Sequence, residues 1–210
     1  QCNIQSLAVS ANYHSAKLFL PHNPKRKVYF PEKGATYFKI QKDLYKDSAI
    51  LPYESKLLDA YPNLWEILAE SAYKHRMPLT AWTICLHNSS LGWRFPQYTV
   101  RNCFGDPYYF NLCPTHNVVQ KYVLALVSNI AALKGVASIF LESLHFMDFE
   151  HGYHHEMLGS HLSNHAKTLL SFCFCLSCQQ KVKERGIDIA RVVKLFQDEI
   201  GHEVSQPSER

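Results

Sequence analysis

The order of apolar and polar positions divides the chain into short apolar runs separated by longer amphipathic stretches. From Ile4 to Tyr13 the residues read as a strand, with Ile4, Leu7, Ala8, Val9 and Ala11 small or apolar and Tyr13-His14 at its end. Leu18-Phe19-Leu20 runs into Pro21-His22-Asn23-Pro24, which is irregular because proline restricts its own φ and the residue before it. Val28-Tyr29-Phe30 and Thr36-Tyr37-Phe38, placed around Pro31 and Gly34, predict a loop excursion or small hairpin rather than core strands. A helix opens at Tyr61-Pro62-Asn63 and ends near His75-Arg76, ahead of Pro78. Its stripe of Leu64, Ile67, Leu68 and Ala72 should face a core. Leu79 to Leu86 is nearly continuous in apolar residues, as a parallel strand covered on both faces requires, and it ends in His87-Asn88.

Ser89 to Pro114 reads as a long irregular stretch, and a loop of that length in a compact domain is usually functional. A second helix is expected from about Asn117 to Leu133, with Val119, Tyr122, Val123, Leu126 and Ile130 on one face and Gly135 as its stop. Val136 to Leu141 is the next buried strand and ends in Glu142-Ser143. After a polar stretch, a helical region from about Ser160 to Gln179 and a last helix from Ile189 to Glu199, capped by Asp188, finish the pattern. Strands alternating with helices predict an α/β protein with a parallel sheet and crossover helices. No glycine-rich loop follows any strand, so a dinucleotide-binding site is not expected.

Composition narrows the partners. The 210 residues suffice for one domain with a full core, expected over 1–202 with a flexible tail at 203–210. Hydrophobic residues make up 47% and charged residues 19%, ordinary values for a globular chain. A net charge of +4 is mild and scattered, which argues against nucleic acid; Lys25-Arg26-Lys27 reads as a solvated turn. No apolar run approaches the ~20 residues that span a bilayer, so no membrane is expected. Seven cysteines in a chain that does not need disulfide staples point to a reducing, cytoplasmic setting. Gln1 in place of Met, directly before a strand, suggests a fragment or processed form.

Three strands end in reactive residues: Tyr13-His14, His87-Asn88 and Glu142-Ser143. In a parallel sheet those ends share one edge, where α/β folds place their sites. Glu142 is the sharpest candidate, a carboxylate at a strand's mouth that could serve as a general acid; a salt-bridged structural glutamate is the plain alternative. His151, His154, His155 and Glu156 form a dense polar run that could bind a polyhydroxylated ligand or, second, zinc; it lacks the His-Glu-x-x-His spacing of a metalloprotease. Cys173, Cys175 and Cys178 could share a zinc ion if the backbone turns there, with His165 or a distant group as fourth ligand. Buried small hydrophobes are the alternative for those thiols. Aromatics crowd the long loops and could stack on sugar rings or only pin the loops down.

Taken together, Ala81-Trp82-Thr83-Ile84-Cys85-Leu86-His87-Asn88-Ser89, Phe104-Gly105-Asp106, Leu112-Cys113-Pro114, Leu141-Glu142-Ser143-Leu144 and His151-Gly152-Tyr153-His154-His155-Glu156 resemble a family of bacterial, glycoside-hydrolase-like (β/α)8 TIM-barrel proteins. Cys173-Phe174-Cys175-Leu176-Ser177-Cys178 is similar to a cysteine-rich segment after a mid-barrel strand in such barrels. The resemblance implies a partial TIM barrel, since a whole one takes about 250 residues, and so the N-terminal half to two-thirds of a longer protein. It implies a carbohydrate as partner, with Glu142 as catalytic acid and no cofactor. His14, His87, Asn88, Asp106, His151, His154, His155 and Glu156 are the expected substrate contacts, and the second carboxylate would come from sequence not present, or from Asp106 or Asp148 if the chain is complete. The alternatives are a non-catalytic zinc protein using the His and Cys clusters, or an inactive barrel fragment making protein contacts.

Overall fold

The computed structural model describes residues 4–151 and 156–205. In chain order, β1 (Leu7–Ser10) is followed by the two-residue strands β2 (Asn12–Tyr13), β3 (Leu18–Phe19), β4 (Val28–Tyr29) and β5 (Ala35–Thr36). A 3-10 turn (Lys42–Tyr45), β6 (Tyr53–Glu54) and a one-turn helix α1 (Leu57–Ala60) lead to α2 (Leu64–Lys74) and β7 (Leu79–Ile84). Then come α3 (Ser89–Arg94), a second 3-10 turn (Pro96–Tyr98), β8 (Thr99–Arg101), β9 (Pro107–Leu112), α4 (Asn117–Ala131) and β10 (Val136–Glu142). Three helices, α5 (Asn164–Ser171), α6 (Leu176–Lys183) and α7 (Ile189–Ser205), close the described chain.

The mixed α/β character and the parallel sheet expected from the alternation are present. β7 lies between β1 and β10, parallel to both. Val9 pairs with Ala81 and Ile139 with Ala81, while Ser10 and Phe140 pair with Trp82 from either side. Partners in register point to the same face. One face therefore carries Leu7, Val9, Leu79, Ala81, Val136 and Ile139, and it packs with Trp65, Ala69 and Ala72 of α2 and with Val119, Tyr122, Leu126 and Ile130 of α4 in the main core. Each fully buried aliphatic side chain here contributes roughly 1.5–3 kcal/mol. Gly135, with φ at +77°, ends the chain's exit from α4; a Cβ there would come within 2.8 Å of the Ala69 Cβ, so α2 approaches closely.

The opposite face carries Ala8, Ser10, Thr80, Trp82, Ser138, Phe140 and Glu142, and it is only partly covered. Phe140 is 55% exposed, and the Thr80 and Ser138 hydroxyls pair 2.8 Å apart in the open. This corrects the expectation of a strand buried on both sides: helices pack one face, and the other is left partly open, with Leu18 and Tyr29 of the β3–β4 hairpin in the wall of the cavity beside Trp82. No closed barrel forms among the described residues, and no described helix is long and apolar enough to cross a membrane.

Other expectations shift for local reasons. In α2 the buried stripe is Trp65, Ala69 and Ala72, while Ile67 is largely exposed; the indole takes the core position expected of the leucines. The stretch 89–114 is ordered rather than irregular. Asn88 caps α3 by accepting from the Leu91 N–H, and the Asn102 side chain accepts from the Phe104 and Asp106 N–H groups, folding the tight turn of the β8–β9 hairpin. The helical region 160–179 is broken. Ser163 caps α5, the backbone becomes extended at Phe172, and α6 starts only after Cys175. The Phe174 N–H donates to the Arg101 carbonyl at 2.6 Å, anchoring that extended link to β8. α7 continues through 203–205, where a tail was expected, and Glu203 accepts from the Ser163 N–H and hydroxyl at 2.5 and 2.6 Å. Its apolar stripe, including Val192, Val193, Phe196 and Ile200, packs with Ala166, Leu169 and Leu170 of α5.

Candidate functional site

The carboxyl ends of the parallel strands bring several expected residues to one edge. Asn12 holds that edge in register: its amide donates to the Ile84 carbonyl (2.7 Å) and accepts from the Ile84 N–H (2.8 Å). Beyond β7 the Cys85 and Leu86 N–H groups donate to the carbonyls of Glu142 and Ser143. The β8–β9 hairpin docks on the same segment through the Asn88 N–H to the Phe110 carbonyl and the Leu112 N–H to the Leu86 carbonyl. These bonds fix His87 between two sheets' worth of backbone.

Glu142 emerges on the open face. Its Oε2 accepts from the Trp82 indole N–H at 2.5 Å, so the carboxylate is aimed by a neighbour two strand positions back. Tyr13 meets Trp82 edge-on at 5.9 Å, and Phe140 does so at 6.4 Å from the other side. Below this row lies an apolar cavity of about 450 Å³, with Ser10, Tyr13, Leu18, Tyr29, Tyr37 and Trp82 in its wall. Burial pushes the Cys85 thiol up to about 12, and the charge of Glu142 adds to that. Ser143, directly after Glu142, sits at φ +55°, a strained position for a residue with a side chain, held by the Leu86 hydrogen bond.

His14, His87 and His151 come together. The His14 and His87 rings lie 3.8 Å apart, and His151 Nε2 is 3.2 Å from His87 Nδ1. His87 is 6% exposed, and its Nε2 is buried with no hydrogen-bond partner among the described residues. Burial, then the neighbouring His14 and His151, pull its pKa down to about 3, so it is neutral at ordinary pH. A neutral imidazole with one nitrogen committed to His151 has the other to offer.

The remaining expected contacts separate. Asn88 is 3% exposed; it caps α3 and donates to the Gly34 carbonyl, so its amide is occupied by the scaffold. Asp106 lies in the β8–β9 turn, where its carboxylate accepts from the Asn102 amide. Glu156 and Asp148 are exposed. His154 and His155 lie outside the described residues.

A second constellation forms where β9 ends. Cys113 there meets Cys173, Cys175 and Cys178 from the link between α5 and α6, and the four sulfurs all lie within 4.8 Å of one another. Cys113 Sγ is 3.7 Å from Cys173, 3.6 Å from Cys175 and 3.6 Å from Cys178. The extended residues 172–175 allow this, since on a regular helix the three clustered thiols would diverge. The Thr115 hydroxyl sits 3.1 Å from Cys113 Sγ and 3.3 Å from Cys178 Sγ. Contacts with Cys113 first, then with the other thiols, draw Cys175 and Cys178 below the usual thiol range and raise Cys173. His165 is exposed on α5 and is not part of the group; Cys113 is the distant fourth member.

Sequence reasoning missed Cys113, because Cys85 and Cys103 were equally available partners 60 or more residues away. It missed Trp82 as the donor to Glu142 although the signal was there: Trp82 and Glu142 are both at even spacing on neighbouring apolar strands. No protein-family model matches this chain, and no curated protein or solved structure is detectably similar to it.

Proposed function

We propose that this chain carries the strand-end site of a glycoside-hydrolase-like, partial (β/α)8 barrel protein and acts on a carbohydrate. The observation that carries the reading is the placement at strand ends: Glu142, oriented by the Trp82 N–H, ends β10, and His87 follows the neighbouring β7 and stacks on His14, which follows β2 of a second small sheet. Aromatic rings flank the carboxylate, and the apolar faces of sugar rings stack on such surfaces. Glu142 protonates the leaving glycosidic oxygen, and the unpartnered Nε2 of His87 bonds a sugar hydroxyl. The usual mechanism needs a second carboxylate, about 5–5.5 Å away for retention or 6.5–9.5 Å for inversion. Asp106 accepts from Asn102 within its hairpin turn, and Asp148, exposed on the loop after β10, lines the cleft that also holds Cys173 and Cys178.

A panel of chromogenic glycosides and unlabelled oligosaccharides tests this with the wild-type chain and Glu142→Gln. The expected result is hydrolysis of at least one glycoside by the wild type, lost in Glu142→Gln with oligosaccharide binding kept. The glutamine carbonyl can still accept from Trp82, so the fold is retained. Hydrolysis that persists in Glu142→Gln overturns the assigned acid, and absence of both binding and hydrolysis overturns the reading.

A further inference from the structure

We propose that Cys113, Cys173, Cys175 and Cys178 form a closed tetrathiolate site for one zinc ion, which staples the end of β9 to the α5–α6 link. A tetrahedral site with Zn–S bonds near 2.3 Å has sulfur–sulfur edges of ~3.8 Å. The distances from Cys113 to its three neighbours, 3.6 to 3.7 Å, already match those edges. The same distances are far too long for a disulfide, whose sulfurs lie at about 2.05 Å.

The surroundings fit a charged thiolate centre. Four thiolates around a divalent cation leave a net charge of −2. Lys181 and Arg185 of the α6 region line the same cleft of about 520 Å³ as Cys173 and Cys178, with Asp148 as the opposing charge there. The Thr115 hydroxyl is within reach of two of the sulfurs, and the Ser177 hydroxyl donates to the Thr115 carbonyl at 2.9 Å, which locks the first turn of α6 onto the loop that carries Thr115. Such outer contacts orient ligands and tune a metal. Four protein ligands leave no open position, so the ion is structural rather than catalytic. On binding, four S–Zn bonds form and the thiol protons pass to solvent.

The staple also bears on the strand-end edge. Met147 and Phe149, on the segment that leads to His151, pack in the same apolar cluster as Cys113, Cys175 and Cys178. The zinc assignment itself is independent of the hydrolase reading, because no step of that reading uses these sulfurs.

The experiment is elemental analysis of the untagged chain purified under reducing conditions. Wild type, Cys85→Ser and His151→Ala are expected to hold one zinc per chain. Cys113→Ser and Cys175→Ser are expected to lose most of it. Because a cysteine variant could fail to fold, cobalt is also added to the metal-stripped wild-type chain, where a tetrathiolate gives an intense sulfur-to-cobalt charge-transfer band and tetrahedral d–d bands. Stoichiometric zinc or those cobalt bands support the site. Stoichiometric iron in place of zinc, zinc unaffected by Cys113→Ser in folded protein, a disulfide within the four, or no metal and no thiolate band each overturn it.

Discussion

The thiol cluster and the histidine-bearing edge of the sheet are built from the same kind of material, distant polar residues brought together at element ends, yet their coordination differs. Around Cys113 every donor faces another donor: three sulfurs surround it at 3.6 to 3.7 Å, and Thr115 adds a hydroxyl. Around His87 one nitrogen is engaged by His151, and the other is buried without a partner among the described residues. Glu142 has one oxygen fixed by Trp82 on the partly open face of the sheet. A closed donor set holds structure together, whereas a site with donors left over is suited to a ligand.

The largest expected effect strikes the closed region. Stripping metal with a chelator under reducing conditions should cost on the order of 5 kcal/mol or more, since a structural zinc contributes directly to folding. Hydrogen exchange should then rise across α5, α6 and the β8–β9 hairpin while the β1–β7–β10 sheet stays protected. Equal loss of protection in the central sheet would break the distinction between the two regions.

The next effect belongs to the edge. The native pKa of His87, about 3, lies below its ordinary value of 6.5, so between those values the unfolded chain binds the proton and the native state does not. The stability contribution is therefore full above about pH 6.5 and is lost as pH falls toward 3. Urea midpoints measured across that range should fall with acid in the wild type, and the slope should flatten in His87→Gln. An unchanged slope would show that another group carries the acid sensitivity.

How far these regions could be read from the residues depended on the range of the forces involved. Local signals served well. The α4 face of Val119, Tyr122, Val123, Leu126 and Ile130 is buried as its spacing requires, and the parallel pairing of the Leu7, Leu79 and Val136 runs follows from alternation with helices. The meeting of His14 and His87 involves residues that directly follow two strands, β2 and β7, and so lies close to what strand ends alone suggest. Partners set by tertiary packing could not be read that way. Cys113 joins Cys178 across 65 positions, and nothing local distinguishes it from Cys85. The break at 172–175 depends on the Phe174 bond to Arg101, a contact with a different hairpin. The expected substrate role of Asn88 yielded to capping because an asparagine before a helix competes for its free N–H groups.

Smaller perturbations sharpen the same comparison. Asn88→Ala removes a helix cap and leaves buried backbone unpaired, and should cost ~1–2 kcal/mol in chemical denaturation. It should leave carbohydrate affinity within about twofold if the amide belongs to the scaffold; a much larger loss of affinity would return Asn88 to the binding surface. Smallest is Ser143→Gly. It relieves the left-handed strain beside Glu142 and raises chain entropy in the unfolded state, so stability should change by less than ~1 kcal/mol. Any clear fall in glycosidase activity in that variant would then report the aim of Glu142 rather than loss of fold.

The most direct measurement is a histidine- and cysteine-selective NMR titration of the metal-loaded chain with the oligosaccharide that binds best. Ring signals of His14, His87 and His151 are expected to move in proportion to binding, while the β-methylene signals of Cys113, Cys173, Cys175 and Cys178 stay fixed. Shifts at the cysteines with the three histidines silent, or binding that moves neither group, would contradict this expectation.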